Sequence, residues 1–367
     1  MVALRHRDRR RLRSGSVAVK PVLFVTNHVP ADRIGAFAAL HRRVPLELAI
    51  FGGRSQHATA GELDPGVPHR HVSQREVTAL AASRRYSAVI AGTVGRTALP
   101  AAWAGARAAR TPFVLWSALW AHPVSAAHAG GALLLAGLYR DAGAVVAYGP
   151  HVAAFARAHG ARNVHIAPQA VDNEFWSAAV PPVPKRPEAD FIAVFLGRAG
   201  REKGIQVLLD AWRLSGLRAS AAALVLVGVG SGPARYPVGG AVAFVSAQPA
   251  EQVRNYLATA DVCVIPSLRT RTFREPWALV ANEAMNQSTP VIASDQVGAA
   301  AGGLVRHERN GLIVPAGDPT ALARALRRLH DDPQLRLRLG ANARRDVAAY
   351  DYDAWAAGFV GAVVSLR

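Results

Sequence analysis

Cysteine is almost missing from this chain. Among 367 residues only Cys263 occurs, so a disulfide framework and a cysteine-based zinc site are both excluded. Its setting, Asp261-Val262-Cys263-Val264-Ile265, reads as a buried strand in which the thiol packs as a small hydrophobe. Acidic residues are scarce as well: 25 Asp and Glu stand against 43 Lys and Arg, a formal net charge of +18. Such a field attracts polyanions, whether nucleic acid, anionic lipid headgroups or phosphorylated substrates. Long apolar runs are also lacking. The best candidate, Ala129 to Leu138, is followed by Arg140-Asp141 and has about half of the ~20 residues a bilayer span needs, so no transmembrane anchor is expected. The arginine-rich start, with Arg5, Arg7, Arg9, Arg10, Arg11, Arg13 and Lys20, has no apolar segment or small-residue cleavage site after it. It is therefore not read as a secretory signal, and the expected location is cytoplasmic. Neither a Walker phosphate loop nor the dinucleotide glycine fingerprint is present, which argues against an NTPase and a simple dehydrogenase.

What is there is a rhythm, stated twice. The length suits two domains, and 51% hydrophobic residues supply enough apolar surface for two cores. Strand candidates in the first half are Val22 to Val25, Leu46 to Ile50, Ala88 to Ala91, Phe113 to Trp116, Ala144 to Ala147 and Val164 to Ile166. Near-continuous apolar strands separated by helix-length segments predict a parallel sheet covered on both faces. The pattern stops at Pro181-Pro182-Val183-Pro184-Lys185-Arg186-Pro187, since proline suits an extended connector. It restarts with Phe191 to Leu196, Leu224 to Val227, Val242 to Val245, Val262 to Ile265, Val291 to Ala293 and Leu312 to Val314. The expected organisation is a flexible basic tail over 1–20, a doubly wound domain over 21–178, a linker over 179–189 and a second doubly wound domain over 190–350. A last helix, Tyr352 to Val364, either ends the second domain or crosses back to the first. Open parallel sheets bind ligands beyond the carboxyl ends of their strands, so the cleft between the domains is the expected site.

The run Pro266 to Ser294, PSLRTRTFREPWALVANEAMNQSTPVIAS, carries the most chemistry. An arginine-rich loop leads into a helix expected to start near Pro276, a residue suited to the first helical turn. On that helix Glu275 and Glu283 stand roughly 12 Å apart. They are too far apart to act as acid and base on one bond, yet well spaced to grip opposite ends of a long polyhydroxyl ligand. Between them the backbone donors of Trp277, Ala278 and Leu279 form an expected anion site. The plainer alternative makes Glu275 a favourable acid at a helix start and Glu283 a solvated surface residue. A second cluster, Gly197-Arg198-Ala199-Gly200-Arg201-Glu202-Lys203-Gly204, places two cations at a strand-to-helix turn where a diphosphate fits.

Together these segments resemble glycosyltransferase family 4. The matching residues are Gly197, Arg198, Lys203, Gly204, Pro266, Ser267, Glu275, Glu283, Ala284, Met285 and Pro290 to Ser294. The resemblance covers the second half well and the first half loosely. It implies the α/β GT-B fold, two Rossmann-like domains facing across a cleft, with a C-terminal helix crossing back. It further implies a retaining transferase that moves a hexose from a UDP- or GDP-sugar to a glycan, lipid-linked or small-molecule acceptor. In that scheme Arg198 and Lys203 neutralise the diphosphate, Glu283 accepts from the ribose hydroxyls and Glu275 holds the hexose. Gly197, Trp277, Ala278 and Leu279 complete the donor site, and neither a metal nor another cofactor is implied. Three departures stand out. The chain has Trp277-Ala278-Leu279 where Phe-Gly-Leu is usual, Thr289 where a glycine usually precedes Pro290, and no acidic residue near Gly302-Gly303-Leu304.

In the first domain, Arg33 in Asn27-His28-Val29-Pro30-Ala31-Asp32-Arg33 is read either as a contact to a donor or acceptor phosphate or as a solvated loop residue. His122, after the strand ending near Trp116, is the candidate polar group beside the reacting sugar and the acceptor. Asp351-Tyr352-Asp353 looks like a metal-binding carboxylate pair, but its place before the last helix favours capping. The other functional readings are a sugar-nucleotide epimerase of the same fold and, from charge alone, a nucleic-acid-binding protein. No aromatic strand motif, zinc module or basic helix supports the latter, and no specific nucleic-acid partner is expected. The basic start reads as a solvated tail or as a tether to an anionic inner membrane face, where each basic residue contributes about 1 kcal/mol.

Overall fold

The computed structural model describes residues 20–52, 63–93, 95, 97–124, 126–180, 189–217, 221–230 and 241–367. The basic tail, Lys20 apart, and most of the proline-rich linker lie outside these residues. In the first domain the strands are β1 (Val22–Thr26), β2 (Leu46–Ile50), β3 (His69–His71), β4 (Ala88–Gly92), β5 (Phe113–Ser117), β6 (Ala144–Ala147) and β7 (Val164–Ile166). Helices α1 (Ala31–His41), α2 (Glu76–Ala81), α3 (Ala98–Ala109), α4 (Ala126–Asp141), α5 (Pro150–Ala158) and α6 (Asn173–Ser177) accompany them. The second domain holds β8 (Phe191–Leu196), β9 (Ala222–Val227), β10 (Val242–Val245), β11 (Val262–Ile265), β12 (Val291–Ser294) and β13 (Gly311–Val314). Its helices are α7 (Ile205–Ser215), α8 (Ala250–Thr259), α9 (Val280–Asn286), α10 (Gly298–Ala301), α11 (Pro319–Asp331) and α12 (Pro333–Val347), and α13 (Tyr352–Val364) closes the chain.

Among the described residues each domain has one parallel sheet, ordered β3-β2-β1-β4-β5-β6-β7 and β10-β9-β8-β11-β12-β13. The inner strands are apolar throughout because helices cover both faces: β1 and β4 are buried at every position. Cys263 is fully buried in β11, and burial pushes its thiol pKa up. β3 has no counterpart in the sequence reading. Its His-Arg-His segment is mostly exposed and offers no apolar run, and it is held by pairing to Leu48 through Ile50 at the sheet edge.

The last helix crosses back. Trp355 and Phe359 of α13 are fully buried in the first domain's core with Phe24 and Phe37, with ring centroids 5.4 Å apart for Phe24 and Phe359 and 5.6 Å for Phe37 and Trp355. Each such side chain contributes roughly 2–3 kcal/mol through burial. Asp351 accepts from Ala354 N–H at 2.7 Å and so caps α13. In the other direction, α6 packs Trp176 into the second domain's core with Val171, although the sequence reading places residues up to 178 in the first domain. Each domain is thus completed by a piece contiguous with the other. No helix among the described residues is long and apolar enough to cross a membrane.

Candidate active site

The second sheet reverses direction between β8 and β11: the chain leaves β8 toward β9 and β10, then returns to the other side for β11. Loops leaving the carboxyl ends of two such neighbours diverge and open a crevice. Those loops are 197–204 and 266–279, the two segments singled out from the sequence.

Local chemistry stitches them together. Leu268 N–H donates to the Glu202 carbonyl at 2.7 Å. Gly204 ends the single 3-10 turn Arg201–Lys203 with φ +68, and a Cβ there would lie 2.0 Å from the Pro266 carbonyl oxygen. Only glycine tolerates both the angle and the approach. As a result Lys203 Nζ donates to Glu275 Oε2 at 2.5 Å, and the buried Ser267 hydroxyl donates to the same oxygen at 3.1 Å. Ser267 is itself held by Ser294 Oγ, which donates to its carbonyl. Arg198 is exposed and Gly197 half-buried, just past the end of β8.

The helix expected from Pro276 begins later, at Val280. Glu275 lies in extended backbone that pairs with Val297. Its carbonyl accepts from Gly298 N–H at 3.1 Å and from Trp120 Nε1 at 3.1 Å, and the Pro276 carbonyl accepts from His151 Nε2 at 3.1 Å. These bonds hold the segment open where a helix would have consumed them. The helix mouth therefore falls at Val280 to Asn282 rather than at Trp277 to Leu279, and the nine residues from Glu275 to Glu283 are not one continuous helix. Ala278 takes φ +76, the left-handed region that costs an L-residue about 1–2 kcal/mol. This is the position at which the resembled family has glycine.

Trp277 is buried and donates from Nε1 to Asn282 Oδ1 at 2.8 Å. Asn282 Nδ2 passes the chain on to the Gln169 carbonyl of the first domain at 3.0 Å. Gln169 in turn accepts from Arg33. Arg33 is therefore a buried residue of α1 and not a solvated loop residue. Its Nη1 and Gln169 Nε2 are buried without a hydrogen-bond partner, two polar atoms held at the domain boundary. Glu283 is half-buried in the first turn of α9 and so is not a solvated surface residue. Burial, reinforced by the charge of Asp32, pushes its carboxyl pKa up to about 8.

His122 occupies a different place, on the loop after β5. Its Nε2 lies 3.1 Å from His159 Nε2, and burial together with that neighbour lowers its pKa. The sequence-selected residues thus fall into three neighbourhoods: Lys203 with Glu275, Glu283 facing Asp32, and His122 against His159. Sequence reading overlooked Trp120, His151, Arg274 and Asn282, which acquire their importance only by reaching across to the other domain. Gln169 follows a strand end, and that was the one available signal.

Residues 179–346 match the family model for glycosyl transferases group 1. The match lies over the second domain and takes in less than half of the chain. Over 106 residues the chain is 39% identical to the D-inositol 3-phosphate glycosyltransferase of Streptomyces avermitilis, covering 28% of this chain and 21% of that protein. To the protein of the same name from Jonesia denitrificans it is 35% identical over 183 residues, covering 46% and 41%. The chain thus spans less than half the length of these curated relatives. Among solved structures, Anabaena HepE in complex with UDP superimposes with a TM-score of 0.74 at 19% identity, covering 93% of this chain and 98% of that one. Sucrose-phosphate synthase from Thermosynechococcus elongatus gives 0.69 at 22% identity, covering 93% and 97%. The fold is accordingly that of the GT-B glycosyltransferases across both domains.

Proposed function

We propose that this protein is a retaining glycosyltransferase of family 4, which moves a sugar from a nucleoside diphosphate sugar, UDP- or GDP-hexose, to an acceptor bound by the first domain. The observation that carries the reading is the meeting of Lys203, Ser267 and Glu275 at the switch point of the second sheet, within the group 1 match. A diphosphate beyond the end of β8 takes Lys203 and Arg198 as its counter-charges. The Glu275 carboxylate accepts from hexose hydroxyls, and Glu283 accepts from the ribose hydroxyls. The bond from the sugar's anomeric carbon to the diphosphate breaks, an acceptor hydroxyl oxygen bonds to that carbon and gives its proton to the departing phosphate, and most of the rate enhancement comes from stabilising the charge that builds on the departing oxygen. His122, on the loop after β5 beside His159, is assigned to the acceptor side of the reacting sugar. That solved relatives of this fold were obtained with UDP and UDP-glucose favours UDP as the first base to try.

A thermal-shift panel of UDP-, GDP- and ADP-sugars tests the reading, because a ligand bound only by the folded state raises its apparent stability. A rise with one of the three, lost in Arg198→Ala, is expected. No rise with any of them would remove the basis for the proposal.

A further inference from the structure

A recess lies beside the Glu275 backbone, whose carbonyl accepts from Trp120 Nε1 and whose neighbours Arg274 and Pro276 line it. The loop 118–123 of the first domain and the loop 269–276 of the second enclose a cavity of about 90 Å³. Val124 N–H, just past its rim, donates to the Arg271 carbonyl at 2.6 Å, so both domains build it together. Inside, the Arg274 guanidinium stacks on Trp120 with its carbon 3.4 Å from the ring centroid. Nη1 of Arg274 donates to the Trp120 carbonyl at 3.4 Å, while its Nε is buried without a hydrogen-bond partner. Arg269, Thr270, Thr272 and His122 share the lining, and no carboxylate does. Burial and the Arg269 charge both lower the pKa of Arg274. The acid that opposes this effect is Asp295, outside the lining and already accepting from Ala316 N–H and Gln296 Nε2, each at 3.1 Å.

Two like charges held in one recess repel each other, and the low dielectric around Arg274 strengthens the repulsion. An oxyanion placed between them removes that cost, and guanidinium forks match phosphate and carboxylate geometry. We propose that this cavity is an oxyanion subsite for the acceptor: the acceptor carries a phosphate or carboxylate, gripped by Arg269 and Arg274 next to the donor-holding Glu275. The inference rests on the transferase reading and narrows its acceptor to an anionic class. The stack on Trp120 fixes Arg274, and the exposed Arg269 closes over the ligand from the rim.

Phosphate binding to the full chain is measured by ³¹P NMR line broadening, with acetate in parallel by isothermal titration. Both are run in the Arg198→Ala background, which weakens the diphosphate site. Adding Arg269→Ala is expected to weaken at least one of the two anions about tenfold, the lower end of what a charged hydrogen bond contributes. Arg269 is exposed, so the melting temperature stays unchanged. Arg274→Lys, which keeps the charge but loses the fork and the stack, is expected to weaken the same anion. Unchanged affinity for both anions on Arg269→Ala, or no anion binding left in the Arg198→Ala background, overturns the subsite. A UDP-glucose thermal shift retained in Arg269→Ala and lost in Arg198→Ala reports on the donor site separately.

Discussion

Lys203 and Glu275 sit 72 positions apart in sequence yet meet at 2.5 Å, with the Glu275 side chain 8% exposed and that of Lys203 20%. Neither loop could bring this about alone; the adjacency of β8 and β11 does. The pair also sets the local electrostatics. On the proposed donor reading, a diphosphate competes with Glu275 for the Lys203 ammonium and frees the carboxylate for sugar hydroxyls. Donor binding and rearrangement of the pair are coupled in that reading.

The two halves of the pair differ in what their removal costs. Lys203→Ala strands a buried carboxylate whose remaining partner is Ser267, and is expected to destabilise the chain by about 2 kcal/mol, less than a fully buried broken pair because Lys203 reaches water. Glu275→Gln keeps the shape and a polar partner for Ser267, and the freed ammonium can turn outward, so its cost is expected to be below about 1 kcal/mol. Urea midpoints of the two single variants and of the double variant check this. A double variant destabilised by the sum of the two single costs would mean that the pair has no special coupling.

Activity should part company with stability at the same positions. Arg198 is exposed, so Arg198→Ala is expected to shift stability by no more than about 0.5 kcal/mol. Removing a group that stabilises leaving-group charge costs about 10²–10³ in rate. Release of nucleoside diphosphate in the presence of acceptor is the measurement. Wild-type turnover in Arg198→Ala or in Glu275→Gln would refute the donor-site assignment.

Ala278 holds φ +76 where the resembled family has glycine. Ala278→Gly relieves the left-handed strain but enlarges the freedom of the unfolded chain, leaving a net gain of about 0.5–1 kcal/mol. It also removes a methyl group from the stretch between Glu275 and α9 that the proposed donor spans. The expected result is a higher melting temperature together with a lower KM for the sugar nucleotide. A melting temperature that falls would show that the methyl group contributes packing that outweighs the strain.

The regular parts of this molecule were legible because their patterns are local. Apolar strands such as Phe191 to Leu196 and Val262 to Ile265 lie where their runs of Val, Ile and Phe predict, and the Trp355–Phe359 spacing marked a buried helix face. The spacing alone leaves open whether that helix returns to the first domain, because either core could take the same apolar face; the family resemblance is what implies the crossover. The candidate site was legible as two loops, and the fold explains why they adjoin: both follow strands at the switch point. Its internal geometry was not. The helix start moved from Pro276 to Val280 because His151, Trp120 and Gly298 claim the backbone groups of Glu275 and Pro276, and those partners come from three other segments. Arg33 looked like a loop residue for the same reason. Its burial depends on Gln169, more than a hundred positions away.

Two half-buried groups give stability opposite slopes with pH. Glu283 has its pKa raised from 4.5 to about 8 by burial and by Asp32, so the folded state holds a proton that the unfolded chain has already lost. Its contribution is complete below pH 4.5 and disappears as pH rises through about 8. His151 is depressed from 6.5 to about 4, chiefly by burial and secondarily by Arg274, against the opposing bond to Pro276. Its contribution is complete above pH 6.5 and disappears as pH falls through about 4. Glu283→Gln is therefore expected to flatten the fall in melting temperature between pH 5 and 8. His151→Gln, which retains an N–H for the Pro276 carbonyl, is expected to flatten the loss between pH 6.5 and 4. Melting curves of both variants across this range decide the assignment. If Glu283→Gln left the alkaline slope as steep as in the parent chain, the carboxyl facing Asp32 would be ionised in the folded state, and the half-buried environment inferred for the ribose-binding position would be wrong.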